Sequence, residues 1–254
     1  MPEADPPLLV SLDHGILRLA LNRPRRFNAL DGDLIERLEV ALREHAANEE
    51  IAALILSGGR RAFCFGADLE KLPKGEERSA LLDALLPRFQ TLIVRLSHFP
   101  APTIAAISGF ATGAGLDLAL ACDLRIAAEK SRLGVSFLKM GLVPDGGGTY
   151  RLPRMVGIAR AFEMLYSDQA LSAERAEAIG LINRVVPQKE LEGAALSLAR
   201  SIGALPRLAV RAAKRLVLDN LTLDLEGALA AEAMEQSSRF RSEEFQAALA
   251  ALDR

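Results

Sequence analysis

Apolar residues in the first half of the chain recur at two spacings, one typical of strands and one of helices. The segment LLVSLDHGILRLALN predicts a hairpin, because two short apolar runs flank the turn Asp13-His14-Gly15. IAALILSG predicts a buried strand, a glycine-containing loop follows, and residues 76–98 predict an amphipathic helix. Asp31 is placed to cap an earlier helix, whose apolar side has helical spacing: Leu34, Ile35, Leu38, Ala41 and Leu42.

The second half repeats this order and then becomes helical. TIAAISG predicts a strand that runs through a glycine-rich turn into a helix from about Gly113, and DLRIAAEK and SRLGVS predict two more strands. GLVPDGGGTYRLP leads into a helix, LSAERAEAIG predicts another, and LINRVVP predicts a last strand. The remaining pattern predicts only helices, at about 188–204, 207–219, 223–239 and 242–252. Because two strands recur before each helix, we expect an α/β fold that is not a doubly wound sheet.

Composition narrows the possible functions. The 254 residues carry a net charge of −2, which disfavours nucleic acid or an anionic membrane as the principal partner. Cys64 and Cys122 are far apart and lack metal spacing, so we expect a reduced, cytoplasmic protein without disulfides. The N-terminal residues do not resemble a signal peptide, and no apolar run reaches the ~18 residues of a membrane span. Three histidines, none paired near an acid or cysteine motif, argue against a metal site or a Ser-His-Asp site.

Two glycine-containing turns can present backbone N–H groups to an anion. One lies in FCFGADL and the other in GFATGAGLDLALACD, each directly after a predicted strand. Ala114 in the second turn falls in the first turn of a predicted helix, where N–H groups lack intrahelical acceptors. Two such donors on one oxygen form an oxyanion hole, worth about 3–4 kcal/mol per donor. The alternative is that both turns use small residues only for packing.

Four segments occur in the order and at the separations found in the crotonase (enoyl-CoA hydratase/isomerase) superfamily: NRPRRFNAL, GRRAFCFGADL, SGFATGAGLDLALACDLRIA and LVPDGGGTYRLPR. The resemblance runs from about residue 8 to residue 252, and on it the chain is identified as a member. It implies a spiral of strand-strand-helix turns over residues 1–187, with the acyl-CoA site, and a C-terminal helical trimerisation region over residues 188–254. It also implies that the N–H groups of Ala67 and Ala114 stabilise a thioester enolate.

The resemblance places two further residues where hydratases of the superfamily carry glutamates, namely Asp117 and Phe137. Phenylalanine cannot hold or activate water, so the two-glutamate apparatus of hydration is incomplete. Asp117 lies three residues beyond Ala114 among apolar neighbours, which predicts a buried carboxylate with a raised pKa. Alternatively, Asp117 is an acid paired with an arginine such as Arg132, or one bonded to backbone amides.

Asp145, in GLVPDGGGTYRLP, also has two interpretations. As a helix cap, its oxygen would accept from the N–H of Gly147 or Gly148. Several double-bond isomerases that this stretch resembles carry their acid/base aspartate here, which favours a catalytic Asp145. A single acid suits an isomerase, which moves a proton between two carbons and needs no bound water.

Weaker signals concern the coenzyme A part of the substrate. The resemblance places Arg25 near the CoA phosphates, with Arg26 an equal candidate and a solvated basic turn the alternative. Many family members end in a basic tail that reaches a neighbour's CoA, whereas this sequence ends in AALDR, where only Arg254 could partly replace that contact. The segment from Ala67 to Glu70 is implied to lie along the pantetheine and adenine. The full set of expected binding residues is Arg25, Arg26, Ala29, Phe65, Gly66, Ala67, Asp68, Leu69, Glu70, Gly113 and Phe137.

Three functions follow as hypotheses. The first is an acyl-CoA double-bond isomerase with Asp145 as the principal acid/base and Asp117 assisting. The second is a 2-enoyl-CoA hydratase that uses both aspartates, and the third is a non-catalytic protein of the same fold. We expect no separate cofactor and no metal, since coenzyme A enters with the substrate, and a homotrimer or a dimer of trimers. One family branch binds RNA, but the chain lacks a dense basic stripe.

Overall fold

A computed structural model describes residues 6–167 and 169–252. Residues 1–5 and Arg254 lie outside this description. The prediction about a signal peptide depends partly on the former, and the prediction of a CoA contact at the C-terminus depends on the latter. In these two ranges the strands are β1 (Leu8–Asp13), β2 (Ile16–Leu21), β3 (Ala53–Ser57), β4 (Ala62–Cys64), β5 (Thr103–Ile107), β6 (Phe110–Thr112), β7 (Leu124–Ala128), β8 (Arg132–Gly134), β9 (Leu171–Ser172) and β10 (Arg184–Val186). The helices are α1 (Gly32–Ala46), α2 (Glu76–Ser97), α3 (Ala114–Leu120), α4 (Gly148–Val156), α5 (Ile158–Tyr166), α6 (Ala173–Ala178), α7 (Leu191–Gly203), α8 (Arg207–Asn220), α9 (Leu225–Arg239) and α10 (Glu243–Leu252).

The described strands form two sheets that the chain visits in turn. One has the order β1-β2-β3-β5-β7-β10 and the other the order β4-β6-β8-β9. The pairs β3 and β4, β5 and β6, and β7 and β8 each place one strand in each sheet, and helices follow each pair. This spiral confirms the predicted strand-strand-helix repeat and the α/β class. It also explains why a doubly wound sheet did not fit the sequence pattern.

Most elements follow the periodicity of the sequence. The predicted hairpin is confirmed, with β1 and β2 antiparallel and His14 and Gly15 at positive φ in the turn. Asp31 caps α1, as predicted, by accepting a hydrogen bond from the N–H of Leu34 at 3.0 Å. In contrast, β4 lies in a segment predicted as a loop and β6 in a segment predicted as a turn. Three residues are too few to show an alternating pattern, so only pairing with a neighbouring strand identifies them.

The helix α7 packs on the sheet of the same chain. Its buried residues Leu191, Ala195 and Ala199 form one hydrophobic cluster with Ile104 and neighbouring residues of β3 and β7. The helices after residue 188 are confirmed. The division at residue 188 into a core and an oligomerisation region stays a prediction, and α7 packs with the strands. None of the helices within the described ranges is long and apolar enough to cross a membrane, and the cytoplasmic location also stays a prediction.

Candidate active site

Ala67 and Ala114 lie beyond the ends of two neighbouring strands. β4 ends at Cys64 and β6 at Thr112, and the two strands pair in parallel, so their carboxyl ends meet at one edge of the sheet. The hydroxyl of Thr112 donates a hydrogen bond to the carbonyl of Phe65 at 3.0 Å. The two turns predicted from the glycine-containing segments are therefore adjacent.

The N–H groups of Ala67 and Ala114 donate no hydrogen bond to any other described residue. Ala67 forms a parallel bridge with Leu30, which bonds to the residues on either side of Ala67. In such a bridge the N–H of Ala67 itself points away from Leu30. Ala114 begins α3, where no intrahelical acceptor is available. A Cβ atom placed on Gly66 would lie 3.6 Å from the nitrogen of Ala114, so two unpaired donors come close together.

Asp117 is a buried acid in the first turn of α3. The residue is only 3% exposed, and its Oδ2 accepts a hydrogen bond from the N–H of Gly146 at 3.2 Å. The predicted alternative partner Arg132 instead donates to the carbonyl of Ser131. Asp117 is thus bonded to a backbone amide, in the loop that also carries Asp145.

The glycines after Asp145 are needed because the loop passes directly over Asp117. A Cβ atom on Gly146 would lie 2.7 Å from the Cβ of Asp117 and equally close to the ring of Phe89. A Cβ atom on Gly148 would lie 2.7 Å from Oδ1 of Asp117. Any side chain at either position would push the loop away from α3. The glycines therefore bring the two aspartates into one site.

Asp145 does not cap α4. The N-cap of this helix is Gly147, and no side chain accepts from the first N–H groups, so the capping interpretation of Asp145 is wrong. Its Oδ1 is buried and accepts no hydrogen bond within the described residues. The carbonyl of Asp145 accepts a bond from Nε2 of Gln90 at 3.3 Å, which ties the loop to α2. A buried carboxylate oxygen without a partner costs stability unless a ligand or a proton satisfies it.

Both aspartates hold their protons more tightly than aspartates in water do. The pKa of Asp117 is raised from 3.8 to about 7, chiefly by burial and also by the charge of Asp145, although the Gly146 hydrogen bond and the Arg151 guanidinium act to lower it. Burial also raises the pKa of Asp145. The raised pKa predicted for Asp117 is confirmed in direction. Carboxyl groups with raised pKa values are suited to exchanging protons with a carbon acid.

Phe137 places an apolar ring next to the oxyanion turn. The residue is 8% exposed, and a Cβ atom on Gly113 would lie 3.9 Å from its Cζ. Its carbonyl accepts from the N–H of Leu142 at 3.1 Å, which fixes the short 3-10 turn between them. The ring therefore occupies space beside Ala114 that a polar side chain would otherwise hydrate.

Several residues expected to bind CoA lie exposed along one segment. Phe65 is 52% exposed and Leu69 is 41% exposed, and the exposed Glu70 pairs with Arg26. Arg25 is exposed and makes no ion pair with a described residue. These side chains are accessible to a ligand, and their role in CoA binding stays a prediction.

Asp68 differs from its neighbours because its side chain is turned inward. It is 6% exposed, and its Oδ2 lies 2.6 Å from Nη2 of Arg23. The same guanidinium donates to the carbonyl of Ala29, which is itself 7% exposed. The side chain of Asp68 is thus not free to contact CoA. The sequence analysis did not identify Arg23. Arg23, Arg25 and Arg26 lie in one basic run, and the sequence does not show which of the three is buried.

Arg151 is a second residue that sequence reasoning missed. Its guanidinium donates to the carbonyl of Gly146 at 3.2 Å and to the hydroxyl of Ser97. The side chain runs from α4 beneath the loop to α2, next to Asp117. The sequence indicates only that Arg151 follows Gly148 by three residues. Its side chain is therefore expected on the same face of the helix as Gly148.

Comparison with known proteins agrees with this fold. The family model for enoyl-CoA hydratase/isomerase matches residues 11–253. The bovine enoyl-CoA hydratase domain-containing protein 2, mitochondrial, is 38% identical over 88% of this chain and 77% of its own length. The 2,3-dehydroadipyl-CoA hydratase of Escherichia coli is 36% identical over 89% of this chain and 87% of its own. A crystal structure of enoyl-CoA hydratase from Bacillus anthracis superposes with a TM-score of 0.93 at 34% identity, covering 97% of this chain and 96% of that one.

The class defined by this two-sheet spiral and paired N–H donors is the crotonase superfamily. The chain belongs to the enoyl-CoA hydratase/isomerase family.

Proposed function

We propose that this protein moves a double bond in an enoyl-CoA or dienoyl-CoA thioester. The observation that carries the proposal is that the loop with Asp145 lies against Asp117 in the first turn of α3, with Phe137 lying beside Ala114. The site thus offers carboxyl groups for proton transfer, and it has an aromatic ring where the resemblance to hydratases calls for a water-binding glutamate. An isomerase needs carboxyl groups for proton transfer and does not need a water-binding glutamate.

The reaction begins when the Asp145 carboxylate removes a proton from the carbon next to the thioester carbonyl. The electron pair of that C–H bond shifts toward the carbonyl oxygen and forms an enolate. The N–H groups of Ala67 and Ala114 donate to this oxygen and stabilise its charge. Protonated Asp145 then returns the proton to a different carbon, so the double bond moves and no water is consumed.

Asp117 assists through its charge and its hydrogen bond. With a pKa of about 7, it exists in both protonation states near neutral pH. When it is ionised, its charge favours the protonated form of Asp145, and when it is neutral, Asp145 ionises more readily. Its bond to the N–H of Gly146 keeps the loop, and with it Asp145, against α3.

Coenzyme A is the recognition part of the proposed substrate. Arg25 and Arg26 would meet its phosphates, and the exposed residues Phe65, Ala67, Leu69 and Glu70 would follow the pantetheine arm. Ala29, Gly66 and Gly113 line the adjoining turns and contribute small surfaces that let the backbone approach the ligand. Asp68 supports this segment from within.

Hydration of a 2-enoyl-CoA is the second candidate function, because the relatives reported above are named hydratases. It requires the two aspartates to activate water without a polar group at position 137. Crotonyl-CoA, a 3-enoyl-CoA and a 2,5-dienoyl-CoA separate these functions when their products are analysed by mass and ultraviolet absorbance. Isomerisation keeps the mass and changes the conjugation, whereas hydration adds the mass of one water. If all three thioesters bind and remain unchanged, the protein is a non-catalytic member of the family.

We also propose that the protein works as a homotrimer or a dimer of trimers. Apolar residues on the last three helices are strongly exposed in the single chain, among them Leu225 at 74% and Met234 at 78%. Val217, Leu229 and Phe240 are also at least half exposed. An apolar surface of this kind normally packs against another subunit.

A further inference from the structure

The N–H of Ala67 owes its direction to hydrogen bonds between two chain segments. The N–H of Leu30 donates to the carbonyl of Gly66 at 2.7 Å, and the N–H of Asp68 donates to the carbonyl of Leu30 at 2.8 Å. On the other side of Gly66, the N–H of Phe65 donates to the carbonyl of Phe27 at 3.1 Å. Ala67 therefore lies between two bonded positions, and its own N–H faces the candidate site.

A buried guanidinium joins the ends of these two segments. Nη2 of Arg23 lies 2.6 Å from Oδ2 of Asp68 and 2.9 Å from Oδ2 of Asp31. Asp31 directly follows Leu30 and Asp68 directly follows Ala67. The Arg23 side chain is 9% exposed, and those of Asp31 and Asp68 are 16% and 3% exposed.

The arginine neutralises two acids that would otherwise face each other. Both carboxylates approach the same nitrogen, so they lie on adjacent segments with only the guanidinium between them. Lys71 supplies a second cation, but among the described residues its Nζ forms an ion pair with Asp31, at 2.8 Å, and not with Asp68. Without Arg23, Asp68 would have no ion-pair partner among the described residues, and the charge of Asp31 would repel it. The segment that holds Ala67 would move away from Leu30.

We propose that Arg23 and Asp68 are positioning residues that aim the N–H of Ala67 at the thioester oxygen. This proposal rests on the proposed function, since it concerns the oxyanion hole of that site. Neither side chain touches the substrate, because both are buried behind the turn. Their ion pair acts by holding the backbone of residues 66–68 in register with Leu30.

The test measures how strongly the site polarises a bound thioester carbonyl. The probe is 4-(dimethylamino)cinnamoyl-CoA, a chromophore whose absorbance shifts to longer wavelength when its carbonyl oxygen accepts hydrogen bonds. The variants are Arg23→Gln, Arg23→Lys and Asp68→Asn. Arg37→Gln is the control, since Arg37 also pairs with an aspartate, Asp33, but on the exposed side of α1.

In the wild type and in Arg37→Gln we expect the full shift. In Arg23→Gln the absorbance shift should fall by at least half and kcat should fall by about 10–100-fold. This decrease in kcat does not exceed the decrease expected when one oxyanion-hole donor is removed completely. KM should change by less than about threefold, because the groups that contact CoA remain. Arg23→Lys keeps the positive charge but lacks the planar guanidinium with its several N–H donors, so it should recover part of the shift.

Folding is checked first by circular dichroism. If Arg23→Gln does not fold, Asp68→Asn takes its place, because the amide removes the charge and keeps nearly the same shape. A folded Arg23→Gln or Asp68→Asn with the full shift and unchanged kcat overturns the positioning role alone. A wild type that binds the probe without any shift has no oxyanion hole, which overturns the proposed function as well.

Discussion

The buried acid Asp117 should make the stability of the fold fall as the pH rises. Its pKa of about 7 in the folded chain lies above the 3.8 of an ordinary aspartate. Between these values the folded protein binds a proton that the unfolded chain has released, so the free energy of unfolding decreases with pH. Each pKa unit corresponds to about 1.4 kcal/mol, so complete ionisation costs the fold about 4 kcal/mol. From pH 5 to pH 8 the loss due to Asp117 is roughly 2.5 kcal/mol.

Replacing Asp117 with asparagine should remove this loss and keep the local geometry. The amide oxygen can still accept the hydrogen bond from Gly146, and the side chain has nearly the same size. Asp117→Asn should therefore lose roughly 2.5 kcal/mol less stability than the wild type between pH 5 and pH 8. In thermal melts this corresponds to roughly 5–10 °C at pH 8 for a chain of this length.

The assay is urea unfolding at several pH values and one protein concentration, because oligomers unfold in a concentration-dependent manner. Asp83→Asn, an exposed aspartate of α2, is the matched control and should follow the wild type. If wild type and Asp117→Asn lose stability in parallel from pH 5 to pH 8, Asp117 is not protonated near neutrality and the electrostatic argument for the site fails.

Four other predictions concern catalysis and assembly. Asp145→Asn should lower kcat by ~10² or more with little change in Tm, because its Oδ1 has no partner to lose; an active Asp145→Asn beside an inactive Asp117→Asn would make the helix carboxylate the base. Ala114→Pro should lower kcat by about 10²–10³, since proline is tolerated at the first residue of a helix but has no N–H; unchanged turnover in a protein with wild-type circular dichroism would contradict this. Arg151→Gln removes a charge that lowers the pKa of Asp117, so the pH–rate profile should move to higher pH, and a profile that stays or moves down would be evidence against the role of Arg151. Light scattering should show at least a trimer at micromolar concentration, and a stable, active monomer would refute the proposed assembly.

Local patterns in the sequence were sufficient to predict the long elements. Leu34, Leu38 and Leu42 define the buried side of α1, and the continuous apolar run before Gly58 is typical of a buried strand, which β3 is. These predictions succeed because side chains recur with the period of the backbone, independently of distant parts of the chain. The four motifs added the family, and with it the expected positions of the oxyanion donors and of both aspartates.

The short strands and the electrostatics of the site depend on contacts between distant residues. β4 and β6 become strands because β4 pairs with β6 and β6 pairs with β8, and the paired residues are more than twenty positions apart in the sequence. Asp145 is a plausible helix cap in the local sequence, and it is excluded from that role because Gly146 bonds to Asp117 and the helix begins later.

The sequence by itself determined the periodic elements, the family and the candidate acids, since these follow from residue types at short spacings. Only the tertiary structure decided which arginine of the run from Arg23 to Arg26 is buried, that Asp68 turns inward to meet it, and that Arg151 lies beneath Asp117. The reason is that burial and charge pairing are properties of positions brought together by folding. Residues 23 and 68, or 117 and 151, carry no mutual signal along the chain, and their energies depend on how much water the surrounding packing excludes.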